Sequence, residues 1–212
     1  MINLVWITPD AEKLLARIAR VSNPINQSND NIKGLIEYMV KHKHWSPFEM
    51  VNACIEINTT RDIGRQILRH RSFVFQEFSQ RYADVNSLPP MDYRETRLQD
   101  TKNRQSSLIT NNTTLIEEWS KLQFEVDQVS RINYKKALEL GIAKEQARAL
   151  LPEGLTPTRM YMAGTIRSWM HYCQLRMGPE TQKEHQEIAK AIFGVLINEM
   201  PITFGILQST DV

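Results

Sequence analysis

The sequence predicts a helix-rich α+β fold, a single domain over residues 1–212 carrying a small antiparallel sheet. Several stretches repeat apolar residues at helical spacing, one stretch alternates them, and no repeat, linker or low-complexity tract divides the chain. A length of 212 residues suits one large domain, since domains run to roughly 100–200 residues.

In "TPDAEKLLARIARVS", Thr8 is a candidate helix cap and Pro9 fits the first helical position. Leu14, Leu15, Ile18 and Val21 then share a face. "NDNIKGLIEYMVKHKH" repeats the pattern with Ile32, Leu35, Ile36 and Met39, and ends in basic residues, as a helix C-terminus favours. "VNACIEINTT" alternates: Val51, Ala53, Ile55 and Ile57 on one side, with Asn52, Cys54, Glu56 and Asn58 on a wetter one. "RDIGRQILRH" returns to helical spacing, so Gln66, Arg69 and His70 are expected on one face. "SFVFQEFSQRY" reads as extended or irregular, with Phe73 and Phe75 facing one way. Residues 85–111 are polar and read as a long loop, a length that is often functional. A long amphipathic helix follows and closes at Gly141, with Trp119 and Phe124 expected in the core. "AKEQARALLP" is a short helix, "TPTRMYMAGT" is extended, and "IRSWMHYCQLRM" and "PETQKEHQEIAKAIFGVLINEM" are helices, the last ended by Pro201.

The formal net charge is +2, too small for a global field that would draw the chain onto nucleic acid or membrane. No apolar run approaches the roughly 20 residues of a membrane span. "MINLVWITPD" lacks the basic start and long apolar stretch of a signal peptide. Cys54 and Cys173 offer neither a disulfide framework nor metal-ligand spacing, and the five histidines form no metal set. A cytoplasmic enzyme or binding protein is the expectation.

The chemistry is concentrated in "RHRSFVFQEFSQRYAD", residues 69–84, where arginines and a histidine interleave with aromatics. A guanidinium fork matches phosphate oxygens and carbonyl pairs. A solvated basic helix end, paired with Asp62, Glu77 and Asp84, would explain the same charges. A second group weakens that alternative. Arg167 and His171 stand at i, i+4, with Gln174 and Arg176 beyond. Arg148 precedes "LLP", "ETQKEHQE" adds Gln182, Glu184 and His185, and His44, Ser46 and Glu49 lie in "KHKHWSPFEM". Arginines on half-buried helices need an anionic partner.

"RHRSFVFQEFS" fits Arg-His-Arg, seven residues, Ser, and resembles the signature of the flavin-dependent thymidylate synthases. "ARVS", "LIEYMVKHKHWSPFE", "RQILRHR", "ARALLP" and "RSWMHYCQLR" resemble further segments of that family in the same order. The resemblance implies an α+β fold and a homotetramer with sites shared between subunits. It implies conversion of dUMP to dTMP, with methylenetetrahydrofolate as one-carbon donor and reducing equivalents from NADPH passing through FAD. Net charge and the lack of an apolar span lead to the expectation of no nucleic-acid or membrane partner. By position, Gln66, Arg69, Glu77, Ser79, Arg81, Arg148 and Arg176 resemble the dUMP set. Ser22, Ser46, Glu49, Arg69, His70, Arg71, Glu77, Arg167 and His171 resemble the FAD set. Arg176, Ser79 and His44 resemble the residues nearest the chemistry, His44 lying over the flavin where folate would stack. Two positions depart from the family: Gln76 and Thr165 stand where many members have Asn, and Thr165 is left out of the site.

Neither cysteine has the basic setting that an activated thiolate needs, and both read as small core residues. Ser79 has no evident base and orienting acid, so it reads as a substrate-orienting group. A module binding single-stranded nucleic acid is the alternative of another class, supported only by arginines among aromatics. Low net charge and the lack of a nucleic-acid motif weigh against it.

Overall fold

The computed structural model describes residues 1–209. The strands are β1 (Ile2–Ile7), β2 (Asn52–Thr60), β3 (Val74–Glu77), β4 (Arg97–Gln99), β5 (Ser107–Ile109) and β6 (Pro157–Thr165). The helices are α1 (Ala11–Ala19), α2 (Lys33–Lys41), α3 (Arg61–Ile67), α4 (Thr113–Glu139), α5 (Lys144–Ala147), α6 (Ile166–Arg176), α7 (Lys183–Glu199) and α8 (Pro201–Ser209). A four-stranded sheet has the order β1-β2-β6-β3, and β4 and β5 form a separate hairpin. The β1–β2 pair is antiparallel, as expected of the sheet, with Ile2 opposite Ile57 and Leu4 opposite Ile55, and a bulge follows Leu4.

The chain divides into two compact units. Unit 1 comprises Met1–Ile57, His70–Gln76 and the chain from Tyr161 onward; unit 2 comprises Asn58–Arg69 and Glu77–Met160.

In unit 1, α7 packs on α6 and α8, and α2 packs on α8. Leu15, Ile36, Ile55, Trp169, Ile192 and Phe204 are wholly buried there. The alternation in β2 holds except at Cys54: Val51, Ala53, Ile55 and Ile57 are buried and Asn52, Glu56 and Asn58 half-buried, but Cys54, expected on the wetter side, is buried too. Ile36 and Met39 mark the inner face of α2, as their spacing predicts. Helix α6 begins at Thr165, whose hydroxyl accepts the backbone N–H of Ser168 at 3.2 Å. At this position the departing residue serves as a helix cap.

In unit 2, Arg94 gathers the N-terminal segment of α3 and the middle of α4. Its Nη2 donates to Asp62 Oδ1 and Oδ2 at 2.9 and 3.1 Å and to the Thr60 hydroxyl at 2.5 Å. Gln123 brackets the Arg94 backbone, its Oε1 accepting from N at 2.7 Å and its Nε2 donating to O at 3.0 Å. Asp127 accepts from Arg131 Nε at 2.7 Å.

Four expectations need correction, and a fifth is extended. Helix α1 starts at Ala11 rather than Pro9, with Asp10 in the left-handed region at its start and no side-chain cap. Helix α3 ends at Ile67, so Gln66, Arg69 and His70 do not share a helical face. The segment 85–111 contains the β4–β5 hairpin, whose turn is held by Asp100 Oδ1 accepting from the N–H of Lys102 at 2.8 Å. Trp119 and Phe124 are not core residues: they are 37% and 52% exposed, because α4 turns Gln123 and Asp127 inward to meet Arg94 and Tyr93. Pro201 ends α7 but also opens α8, where its missing N–H costs nothing at the first helical position. Strand β1 was not anticipated by the sequence reading.

Candidate active site

In unit 1, a groove of about 370 Å³ is lined by Trp45, Glu49, Ser72, Arg167, Ser168, Met170, His171 and Gln174. The i, i+4 spacing predicted for Arg167 and His171 puts both on its wall, with Gln174 along the same helix. The Ser46–Glu49 turn brings Glu49 to Arg167, whose Nη1 donates to Glu49 Oε1. Ser22, His44, Ser46 and Arg71 are exposed members of this unit that do not line the groove.

Beside it, Arg176 at the end of α6 donates from Nε to His70 Nε2 at 2.8 Å. Arginine only donates, so His70 Nε2 accepts and its ring proton sits on Nδ1. Burial, the Arg176 charge and then His171 push the His70 pKa down to about 4. His70 meets Tyr172 edge to face, ring centroids 4.9 Å apart. The Tyr172 hydroxyl lies 3.0 Å from His185 Nε2, both residues wholly buried. Burial raises the Tyr172 pKa, and burial with the Arg176 charge lowers that of His185 to about 4. The two are therefore an uncharged phenol and an uncharged imidazole sharing one hydrogen bond.

In unit 2, a second groove of about 410 Å³ is lined by Arg61, Arg65, Gln80, Glu145, Arg148, Ala149, Leu151, Glu153 and Thr156. Arg65 pairs with Glu153 at 2.5 Å, and Arg81 Nε with Glu145 Oε2 at 3.1 Å. Arg148 Nε donates to the Glu145 carbonyl at 3.2 Å. Gln66, Arg69, Glu77 and Ser79 belong to this unit but do not line the groove. The carboxylates that might have neutralised the basic segment are committed elsewhere: Asp62 to Arg94, Glu77 to Arg61 and Asp84 to the N–H of Asn86.

Sequence reasoning missed Arg61 and Tyr172. Arg61 shares a face of α3 with Arg65 at i+4, the one signal that could have drawn it in. It singled out Gln182 and Glu184 with His185, but those two form an exposed pair with each other at 2.9 Å. Both thiols are buried, and burial raises the pKa of each. Among the described residues, no group of three or more His, Cys, Asp or Glu is placed to hold a metal ion. No helix among them is long and apolar enough to cross a membrane.

Arginine-lined grooves on an α+β scaffold, without an activated thiol, are the features of a protein suited to anionic, nucleotide-like ligands. The family described as thymidylate synthase complementing protein matches residues 3–202. A probable flavin-dependent thymidylate synthase of Paramecium bursaria Chlorella virus 1 is 50% identical over 192 residues, covering 90% of this chain and 88% of that one. A flavin-dependent thymidylate synthase of Synechocystis sp. is 45% identical over 197 residues, covering 93% and 89%. A crystal structure of a UMP/dUMP methylase from Streptomyces cacaoi, bound with 5-Br dUMP, superposes with a TM-score of 0.82 at 25% identity, covering 99% of this chain and 94% of that one. The chain belongs to the flavin-dependent thymidylate synthase family.

Proposed function

We propose that this protein methylates dUMP to dTMP as one catalytic domain. Its one-carbon donor is methylenetetrahydrofolate, and its reducing equivalents come from NADPH through non-covalently bound FAD. The observation that carries the reading is two arginine-lined grooves in a chain 50% identical to a flavin-dependent thymidylate synthase. The family match runs through both units, which supports a single domain.

The residues of unit 1 fit FAD on three counts. Arg167 and His171 offer donors to an anionic or carbonyl-bearing group, Trp45 offers a flat apolar wall, and the groove is open to a long ligand. In this reading Ser22, Ser46, Glu49, His70, Arg71, Arg167 and His171 hold the flavin, with Arg69 and Glu77. Bound there, FAD supplies a two-electron carrier, which the chain's own side chains do not provide. The nucleotide set is Gln66, Arg69, Glu77, Ser79, Arg81, Arg148 and Arg176. Arg148 and Arg81 neutralise phosphate, Arg176 polarises a uracil carbonyl, and Ser79 orients the base. His44 lies on the folate side. No thiolate takes part, which agrees with two thiols whose pKa values burial raises.

A homotetramer with shared sites completes the reading. Leu122, Val126 and Val129 make an apolar stripe on the outer face of α4, and all three are exposed. An apolar stripe of that length suits a second copy of the chain. A groove of about 370 Å³ lies near the lower end of the roughly 300–1,000 Å³ of ligand pockets, small for a dinucleotide bound by one subunit. A cytoplasmic setting agrees with two separate buried thiols.

The test is the purified protein itself. It should be yellow, tetrameric by light scattering, and should form dTMP from dUMP only with methylenetetrahydrofolate and NADPH. A colourless protein that forms no dTMP after FAD is added would refute the reading. A monomer carrying full flavin would remove only its shared-site part.

A further inference from the structure

The Glu77 carboxylate is gripped by two donors within unit 2. Arg61 Nη1 donates to Oε1 at 3.0 Å, and the Thr158 hydroxyl donates to the same oxygen at 2.8 Å. The Arg61 and Glu77 side chains keep only 14% and 20% of their exposure, and Thr158 is buried. An exposed ion pair holds neither partner firmly. A shielded carboxylate with a charged and a neutral donor on one oxygen is fixed in one rotamer. Both donors use Oε1, so Oε2 keeps its lone pairs for a further donor.

The local sequence explains the convergence. The N–H of Arg61, the first residue of α3, donates to the Thr156 carbonyl at 3.0 Å and ties the helix to the approach to β6. Gly64 lets the helix come close. A Cβ there would stand 3.1 Å from Met160 Cε and 3.3 Å from Thr158 Cγ2. Arg61 also lines the second groove with Arg148.

We infer that Arg61, with Thr158, is a positioning residue for the nucleotide: it holds Glu77 with Oε2 presented to a hydroxyl or N–H of dUMP. The inference rests on the reading of Glu77 as a ligand residue given above. It adds two residues that act on the nucleotide through that carboxylate. Arg61→Lys keeps the charge but loses the fork. Thr158→Val keeps the shape and removes one donor.

The experiment is calorimetric titration of flavin-loaded protein with dUMP, on the single variants and in a Glu77→Gln background. Arg61→Lys and Thr158→Val should each weaken dUMP binding by about three- to thirtyfold. At saturating dUMP, kcat should stay within about twofold, because the loss is in binding. With Glu77→Gln already present, Thr158→Val should cost less than about twofold more, because residues acting through one group are not additive. Should Arg61→Lys fail to fold, Thr158→Val carries the test alone. Full losses that persist in the Glu77→Gln background would overturn the inference and leave Glu77's own role standing. So would unchanged binding in both single variants while Glu77→Gln is impaired. Unchanged binding in Glu77→Gln itself would instead refute the reading of Glu77, and the inference with it.

Discussion

Arg176 and His70 are joined by a 2.8 Å hydrogen bond in which the imidazole is the acceptor. The pair stands 106 residues apart in sequence, so the fold alone brings it together. An imidazolium could not accept this bond, and it would set two cations side by side. The Tyr172–His185 pair beneath completes a polar cluster inside an otherwise apolar layer.

Stability should therefore depend on pH through these rings. His70 and His185 have pKa values of about 4 in the fold, against about 6.5 when exposed. Between those values the unfolded chain binds more protons, so stability rises with pH. It is fully present above about pH 6.5 and is lost as pH falls toward about 4. For the buried His185 the change is on the order of 2 kcal/mol. Urea unfolding from about pH 5 to 7 avoids most carboxylate titration. His185→Gln should flatten the rise, and a wild-type midpoint that ignores pH would contradict the cluster's neutrality.

The two proposed ligand sets should separate by mutation. Arg176→Ala removes charge-assisted bonds worth roughly 1.5–3 kcal/mol each, so dUMP affinity should drop about one to two decades. FAD content, and its reduction by NADPH without dUMP, should survive. Arg71→Ala should empty the flavin site first. Flavin spectra during dUMP titration read both effects, and an Arg176→Ala protein that loses FAD yet binds dUMP normally would reverse the assignment.

No cysteine should be needed for turnover. Cys173 is wholly buried, so Cys54→Ser with Cys173→Ala avoids leaving a hydroxyl unpaired, which costs about 1–3 kcal/mol. The double variant should still make dTMP. A folded, flavin-loaded variant that makes none would refute the thiol-free chemistry.

Gly164 should accept no side chain. A Cβ there would lie 2.5 Å from Phe73 Cδ1 and 2.9 Å from Cε1, and Phe73 is packed on Trp169 with centroids 4.6 Å apart. Gly164→Ala should cost about 1–3 kcal/mol, as overpacking does, with a lower Tm. An unchanged Tm would mean that the ring moves freely.

Elements whose periodicity is long and two-sided were legible in the sequence: β2, α2, α6 and the body of α4. Spacing put Arg167 with His171, while the fold joins Arg176 to His70, which the resemblance assigns to different ligand sets. What escaped has physical causes. "INLVWI" is a short apolar run that spacing does not mark as a strand, and pairing with β2 decides it. Helix α3 stops at Ile67 with neither Gly nor Pro to announce it. Trp119 and Phe124 were read inward because apolar periodicity says nothing of which face the chain itself covers. In α4 the covered face is the polar stripe of Gln123 and Asp127. Nothing in the sequence ties Arg61 to Glu77, because their meeting depends on Thr158 and the fold that brings it to the same oxygen.

Unit 1 is assembled from the beginning of the chain, a seven-residue insert and the end. During synthesis, β1, α1 and α2 leave the ribosome long before Trp169, Ile192 and Phe204, which are buried in the same unit. Unit 2 has all its residues by Met160, so it has the earlier opportunity to fold. A premature stop just after Arg176 would spare every proposed ligand residue, yet it would delete His185, Ile192, Leu196 and Phe204. The fragment would keep its ligand groups while leaving the apolar face of its opening strand and helices uncovered. Cellular quality control would meet it as a target for degradation, not as a weakened enzyme.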